Sequence, residues 1–236
     1  MNLFYMLFLL NIFQFIYNQE NQTCSNDKNN IRETNREYLL PLNYEFKINS
    51  FSITKIQALF IIGLLEKYKP NNLCEYGAGV STKIFEIYSQ KYNKTFLNIE
   101  QDKKYLYKSS KYFPIKHKAP LIFNGIKYKN NAIYDGLEKF LKNYKKKFDF
   151  VLIDGPFIDR KKYKYKYNRL QMVDFIEFDL LDEKGYFLIH DTERTADAKS
   201  VKLLLSLFKK KYKLKIDKIN KGLPKELTII RFKKKK

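Results

Sequence analysis

The sequence predicts an α/β protein built on a doubly wound, mostly parallel β-sheet. Short strand-like apolar runs alternate with longer helical patterns, and this alternation places helices on both faces of a parallel sheet. Residues 148–154 and 185–191 are nearly continuous apolar runs, as expected of strands that are buried on both faces. The last two strand-like runs flank "NKGLPK" with no helix between them, so they must pair antiparallel. We therefore expect seven strands with an antiparallel terminal strand.

The elements follow one another from Ser52 onwards. The first predicted helix has a polar cap, apolar residues at Ile56, Leu59, Phe60 and Leu64, and a closing Pro70. The predicted helices cover residues 52–70, 80–92, 102–113, 133–147, 168–178 and 196–212. The predicted strands cover residues 72–77, 95–100, 119–124, 148–154, 185–191, 213–219 and 226–232.

Composition divides the chain into an apolar segment (1–18), a polar linker (19–51) and one folded domain (52–236). Residues 3–17 are almost wholly apolar, but a spanning helix needs about 20 residues. No Lys or Arg precedes the segment, and no small-residue cleavage site follows it. A signal peptide, a short membrane anchor and an amphipathic or buried helix all stay open, and with them a cytoplasmic, membrane-associated or secretory location.

The formal net charge is +21, which has two interpretations. A basic chain can bind nucleic acid or another polyanion. Alternatively, the charge reflects a general bias towards Lys, Asn, Ile, Tyr and Phe, which the scattered lysines favour. Lysines are denser at 159–169 and in the tail 231–236. Two cysteines cannot build a disulfide framework or a zinc site alone, and Cys74 falls within a predicted strand.

Polar residues gather where the predicted strands end. They occupy residues 75–79, Glu100, residues 154–156 and residues 190–194. In open sheets of this kind, ligands bind at the carboxyl ends of the strands. These four groups are therefore the candidate site.

The stretch "EYGAGVST" is the candidate cofactor turn. A dinucleotide fingerprint needs a third small residue after the two glycines, but Thr82 stands there, and Glu75 precedes the first glycine. A carboxylate at that place suits an ammonium or hydroxyl groups better than a pyrophosphate. Glu100 can accept hydrogen bonds from ribose hydroxyls, a feature that NAD and S-adenosylmethionine sites share.

Four stretches in order, "EYGAGVST", "NIEQD", "FDFVLIDGP" and "YFLIHDTER", followed by a terminal hairpin, resemble the class I S-adenosylmethionine-dependent methyltransferases. The resemblance covers about residues 53–233 and implies a Rossmann-like fold and transferase activity. "LIDGP", then an Arg, then "HDTER" is closer to a subset that includes small bacterial enzymes and plant polysaccharide methyltransferases. We therefore expect O-methylation of a hydroxyl on a glycan or other polar acceptor.

The resemblance also assigns roles to residues. It implies that Glu75, Gly77, Gly79 and Ser81 line the methionine end of the cofactor and that Glu100 holds the ribose. It places Asp154 towards the sulfonium and acceptor, with His190 and Asp191 beside the acceptor. Further expectations for the acceptor are binding of an anionic group by Arg160, Arg169 and Arg194.

Two routes can remove the proton of an acceptor hydroxyl. Histidine is the side chain that ordinarily titrates near neutrality, which favours His190 as the base. Alternatively, Asp154 and Asp191 hold Mg²⁺, which lowers the pKa of the hydroxyl. In the metal-dependent O-methyltransferases an Asn follows the second carboxylate, whereas Thr192 follows it here. This mismatch favours the His190 route, while Mg²⁺ held by Asp154 and Asp191 stays open as the alternative.

Two other functions stay open from the sequence. One is an NAD-dependent or other Rossmann-type enzyme, which cofactor binding would distinguish. The other is a basic nucleic-acid-binding module, whose affinity would depend steeply on salt. The chain lacks ordered RNA-binding aromatic motifs, so this module ranks last. Association with a membrane through residues 3–17 is a separate expectation.

Overall fold

A computed structural model describes residues 53–101, 121–122, 125–128, 131–134, 136–156 and 167–236. Side chains are described for these residues except 121–132. The predictions for the segments 1–18 and 19–51, for the helix 102–113 and for Arg160 lie outside these ranges. Among the described helices, none has the length and apolar character needed to span a membrane.

The main sheet has seven strands in the order β3-β2-β1-β6-β7-β9-β8. The strands in chain order are β1 (Asn72–Tyr76), β2 (Thr95–Glu100), β3 (Leu121–Ile122), β4 (Gly125–Tyr128), β5 (Asn131–Tyr134), β6 (Phe148–Ile153), β7 (Leu181–His190), β8 (Tyr212–Ile219) and β9 (Leu227–Lys234). The strands from β3 to β7 in the sheet pair parallel. Strand β9 pairs antiparallel with both β7 and β8. The predicted fold class is confirmed, although the antiparallel strand lies one place inside the edge rather than at it.

The described helices are α1 (Lys55–Tyr68), α2 (Val80–Tyr92), α3 (Leu137–Asn143), α4 (Asp174–Glu177) and α5 (Thr195–Lys211), with a 3₁₀ turn at Leu170–Val173. Helix α1 begins with a capping box between Thr54 and Gln57, which satisfies the first backbone N–H groups. The helix predicted over 133–147 is wrong at its start. Ile133 and Tyr134 belong to β5, which forms a separate hairpin with β4, and Gly136 in the left-handed region (φ 71°) precedes α3.

Aromatic rings fill the core between the sheet and α5. The rings of Phe175 and Phe187 pack edge to face at 5.4 Å, and those of Phe187 and Phe208 do so at 5.5 Å. All three side chains are fully buried. Edge-to-face pairs add about 0.5–1.5 kcal/mol each beyond the buried area. Cys74 is a fully buried free thiol in β1, as the sequence predicted, and its burial raises the pKa of the thiol well above the ordinary value.

The parallel register brings the predicted site residues to one edge of the sheet. Tyr76 pairs with Ile153 and Ile153 pairs with Ile189, so the next residues of the three strands are neighbours. Backbone bonds extend the register by one residue: Gly77 N–H donates to the Ile99 carbonyl at 2.8 Å, and Asp154 N–H donates to the Tyr76 carbonyl at 2.8 Å. The carboxyl ends of β1, β2, β6 and β7 therefore share one edge.

Candidate active site

The two glycines of the turn after β1 have different structural roles. Gly77 adopts φ +93°, and a Cβ added there would lie 3.0 Å from the Asp154 carbonyl carbon and the Gly155 nitrogen. Only glycine fits this backbone without strain. Gly79 has an extended φ of −175°, and a Cβ added there would meet no atom of the described residues within 4 Å. Gly79 therefore faces open space at the carboxyl edge of the sheet.

Glu75 holds this turn from inside. Its carboxyl group is fully buried and accepts hydrogen bonds from Ser81 Oγ at 2.5 Å, Thr82 Oγ1 at 2.7 Å and Asn98 Nδ2 at 2.8 Å. Burial raises its pKa to about 8 although the hydrogen bonds from Ser81 and Thr82 oppose the shift. The polar atoms of Glu75 and Ser81 thus bond to each other. These two residues stabilise the turn from its buried side and do not line its open side.

Every backbone N–H of the turn already has a partner within the chain. Gly77 N–H donates to the Ile99 carbonyl at 2.8 Å, and Ala78 N–H donates to Glu100 Oε2 at 2.6 Å. Gly79 N–H donates to Thr82 Oγ1 at 2.8 Å. Glu100, at the end of β2, is only 5% exposed. An acidic side chain therefore lies against the turn, and the amides of residues 77–79 are occupied.

Three side chains meet at the ends of β6 and β7. His190 Nδ1 lies 2.9 Å from Asp154 Oδ1 and 3.6 Å from Asp191 Oδ1. His190 is 1% exposed, and its Nε2 is buried with no hydrogen-bond partner among the described residues. Asp191 adopts a left-handed φ of 59°, which turns its side chain back towards this cluster. The structure thus brings together all three residues that the sequence predicted to be catalytic.

Arg169 connects this cluster to α5. One guanidinium nitrogen lies 3.3 Å from both Asp154 Oδ1 and Asp191 Oδ2, and Nε lies 3.6 Å from Asp197 Oδ1. Another guanidinium nitrogen donates to the His190 carbonyl oxygen. Burial favours a lower pKa for Arg169, but the three carboxylates outweigh it and raise the pKa above its ordinary value. Arg169 is therefore a permanently charged group inside the site.

The same neighbours fix the charge of Asp154. Burial favours a higher pKa, but His190, Arg169 and Arg194 outweigh burial and lower the pKa of Asp154 below its ordinary value. Asp154 is consequently a carboxylate at neutral pH. Because Arg169 is 4% exposed and bound to protein acceptors, its predicted role in binding an anionic acceptor is replaced by an internal one. Arg194, with a side chain that is 36% exposed, pairs with Asp191 and Glu193.

Several residues of the site were not identified from the sequence. Asp197 Oδ1 forms an ion pair with Arg169 Nε at 3.6 Å and accepts a hydrogen bond from Asn168 Nδ2 at 2.8 Å. Tyr134 reaches the site from β5, and a Cβ on Gly155 would lie 2.0 Å from its hydroxyl. No local motif marks Asp197 or Tyr134, because their role depends on contacts between distant segments.

A divalent metal does not fit this cluster as it is built. The ligand atoms of Asp154, His190 and Asp191 lie within 4.8 Å of one another, which is compact enough for one ion. However, the guanidinium of Arg169 already lies between the two carboxylates, and the His190 nitrogen nearest to them is the one that bonds Asp154. A cation among these ligands would therefore have to displace Arg169 or lie beside its positive charge.

The fold is similar to those of three solved structures, at low sequence identity. SAH-bound methyltransferase PaMTH1 of Podospora anserina has a TM-score of 0.54 and 14% identity, with 78% of this chain and 80% of that chain covered. The O-methyltransferase of Bacillus cereus in complex with SAH has a TM-score of 0.55, 11% identity, and 79% and 84% coverage. Cofactor-bound Rv0187 from MTB has a TM-score of 0.56, 12% identity, and 80% and 85% coverage. No family model matches the chain, and no curated protein matches its sequence. The likeness shows the class I methyltransferase fold.

Proposed function

We propose that this protein is an S-adenosylmethionine-dependent methyltransferase that methylates a hydroxyl group on a carbohydrate or another polar acceptor. The observation that carries the proposal is the turn at Gly79, which faces open space next to the buried acid Glu100. This turn lies at the carboxyl ends of the strands, where open α/β sheets bind ligands. Two neighbours with the same fold are SAH complexes, which supports the same choice of cofactor.

The residues present fit this cofactor. Gly79 leaves room for it, and Glu100 would accept hydrogen bonds from its ribose hydroxyls. Glu75 and Ser81 would act indirectly, by fixing the turn from inside. When bound, the cofactor supplies a sulfonium methyl group to an in-line nucleophile, and the protein contributes the alignment of the acceptor oxygen.

The turn favours S-adenosylmethionine over a dinucleotide. In dinucleotide-binding proteins a pyrophosphate is held by the backbone N–H groups of the glycine-rich turn together with those at the start of the following helix. In this turn the amides of Gly77, Ala78 and Gly79 donate to Ile99, Glu100 and Thr82 instead. Binding a pyrophosphate would break these bonds and place its charge near Glu100. Glu75 does not contribute to this preference, because its carboxyl group is fully buried and bonded to Ser81, Thr82 and Asn98.

His190 is the proposed general base. The Asp154 carboxylate accepts the proton on Nδ1 at 2.9 Å, which leaves the lone pair on Nε2. That atom is buried without a partner in the described part of the chain, and an unsatisfied buried polar group costs about 1–3 kcal/mol. A bound acceptor hydroxyl would satisfy Nε2 by donating its proton to it. Asp154 orients the ring and stabilises the imidazolium that forms.

Arg169 would take the electrostatic place that a metal has in other sites. Its charge offsets the two carboxylates of Asp154 and Asp191, which lie on either side of it. Proton removal would then depend on His190 and not on a bound ion. Arg194 is the partly exposed cation beside Asp191, which suits a polar or anionic acceptor.

Calorimetric titration tests the cofactor directly. We expect S-adenosylmethionine to bind and NAD not to bind, and the reverse result would refute the proposal.

The chemistry is tested on a panel of carbohydrate acceptors with and without EDTA. His190→Asn should lower turnover about 10²–10⁴-fold with cofactor affinity nearly unchanged, and EDTA should leave the parent active. Full activity of His190→Asn in EDTA would exclude His190 as the base. Loss of activity in EDTA with recovery in Mg²⁺ would instead assign the chemistry to a metal.

A further inference from the structure

A row of cations crosses three strands at the end of the sheet opposite the active site. In the register of β7, β9 and β8, Lys184 pairs with Lys233 and Lys233 pairs with Lys213. In the next row on the same face, Arg231 pairs with Lys215. All five side chains are exposed. We call these five residues the basic corner.

The basic corner places like charges directly opposite one another. Opposed residues of antiparallel strands have Cα atoms about 4.5–5.5 Å apart, and like charges in such pairs are destabilising. None of the five forms an ion pair with a described carboxylate. The acids on the same face of these strands, Asp182 and Asp217, each lie two residues further along, from Lys184 in β7 and from Lys215 in β8. Five exposed cations with two nearby acids leave the corner a concentrated patch of net positive charge on the described surface.

An aromatic ring, that of Tyr68, lies beside the basic corner. Tyr68, at the end of α1, is 39% exposed. Its ring centroid lies 4.6 Å from that of Tyr186 and 5.8 Å from the Arg231 guanidinium carbon. Tyr186 itself pairs with Arg231 in the ladder. These contacts fix the position of the Tyr68 ring while leaving part of it accessible.

We propose that the basic corner and Tyr68 form a binding surface for single-stranded nucleic acid. Phosphates would lie over the lysine rows, and a base would stack against Tyr68. Basic grooves that carry accessible aromatic rings bind single strands in this way, with little sequence preference. The surface is separate from the proposed catalytic site, because Lys184 and His190 are six residues apart in one strand, or about 20 Å.

The composition of the surface favours nucleic acid over a membrane. Proteins that lie on membranes insert apolar side chains beneath the headgroups. Among the large exposed hydrophobic residues of the described chain, only Tyr68 lies here. Ile216 points to the other face of β8, since it alternates with Lys215. A flat row of lysines with a single ring suits phosphates and bases better than acyl chains.

The test is fluorescence anisotropy of the full chain with labelled oligothymidylate and oligouridylate of about 20 nucleotides. Neutralising about five phosphates predicts an affinity that falls roughly 100-fold between about 50 and 200 mM salt. Lys213→Glu with Lys233→Glu should weaken binding at least about 10-fold. The matched control, Lys199→Glu with Lys202→Glu on exposed positions of α5, changes net charge equally and should have little effect.

The ring is tested separately. Tyr68→Ala should weaken binding about 10-fold, whereas Tyr68→Phe, which keeps the ring, should bind like the parent. Thermal unfolding midpoints confirm that each variant is folded. Equal losses in the two charge-reversed variants would show a general charge effect and overturn the proposal. So would undiminished binding by Tyr68→Ala, or tighter binding to vesicles containing phosphatidylserine through the same lysines.

Discussion

Gly77 and Gly79 provide a matched pair of substitutions that separates folding from cofactor binding. The two positions lie two residues apart in one turn, and the same change, glycine to alanine, adds one methyl group to each. At Gly77 the new Cβ would lie 3.0 Å from the backbone of residues 154 and 155 at a φ of +93°. At Gly79 the new Cβ would enter open space at an extended φ.

The magnitudes follow from these contacts. An L-residue in a left-handed conformation costs about 1–2 kcal/mol, and displacing backbone from a 3.0 Å contact adds a packing cost of about 1–3 kcal/mol. We therefore expect Gly77→Ala to lower the free energy of unfolding by about 2–5 kcal/mol. Gly79→Ala should change it by no more than about 1 kcal/mol, in either direction. Its methyl group, however, would occupy the proposed cofactor space, so affinity for S-adenosylmethionine should fall at least about 10-fold.

Thermal unfolding with and without S-adenosylmethionine measures both effects. The parent should be stabilised by the cofactor, by an amount that grows with the logarithm of the cofactor concentration once this exceeds Kd. Gly79→Ala should unfold at the parent temperature without cofactor and lose most of the stabilisation with it. Gly77→Ala should unfold at a lower temperature under both conditions. If Gly79→Ala is stabilised by the cofactor as strongly as the parent, the cofactor does not occupy the space next to Gly79, and our placement of the site is incorrect.

Three further substitutions test the charges of the protein. Glu100→Ala should weaken S-adenosylmethionine binding by about 1–3 kcal/mol in calorimetry, since charged hydrogen bonds are lost; unchanged affinity would remove Glu100 from the site. Arg169→Met should lower the free energy of unfolding in urea by about 3–5 kcal/mol, because it leaves buried carboxylates unpaired. A stability within about 1 kcal/mol of the parent would show that Arg169 does not pair with Asp154, Asp191 and Asp197. Burial, with Glu177 and Glu138, raises the pKa of Asp174 from its ordinary 3.8 to about 7. The folded state therefore holds this proton more tightly than the unfolded state, and stability should fall as the pH rises from about 4 to about 7. Asp174→Asn should remove that part of the fall and stabilise the protein above pH 7, as chemical denaturation across pH would show; a parallel pH profile for both proteins would contradict this.

The buried strands could be predicted because their sequences leave little alternative. Continuous apolar runs such as 148–153 must be covered on both faces, and they fix the parallel sheet. The β4–β5 hairpin was missed because it is short and because its second strand runs into the helical pattern of α3. Only two residues, 135 and 136, separate the two elements, and Gly136 has a left-handed conformation. The place of β9 between β7 and β8 was also not determined, since a sequence shows which strands are adjacent in the chain but not which strand lies at the edge.

The candidate site also contains residues that could be predicted from the sequence and residues that could not. Residues at strand ends, such as Asp154 and His190, were predicted because topology alone brings strand ends together. The burial of Arg169 could not be predicted, because charged side chains are seldom buried unless they are paired. Its partners come from β6, the end of β7 and the first turn of α5. That pairing exists only in three dimensions, and residue type alone made Arg169 resemble a ligand-binding cation.

In the turn after β1 and in the cluster of Asp154, Arg169, His190 and Asp191, most of the groups that could attract an external charge are bound within the chain. The amides of residues 77–79 donate to protein acceptors, so these three groups are not free to bind a pyrophosphate. Asp154 and Asp191 share the Arg169 guanidinium, so the strand ends hold their own cation. Among the described atoms of this cluster, two that can accept a proton from a hydroxyl have no hydrogen-bond partner: His190 Nε2 and Asp191 Oδ1. Asp191 Oδ1 lies 3.6 Å from His190 Nδ1, so His190 Nε2 is the one without a nearby opposite charge. Since an unpaired buried nitrogen is costly, the arrangement is best explained by a polar acceptor that donates to it.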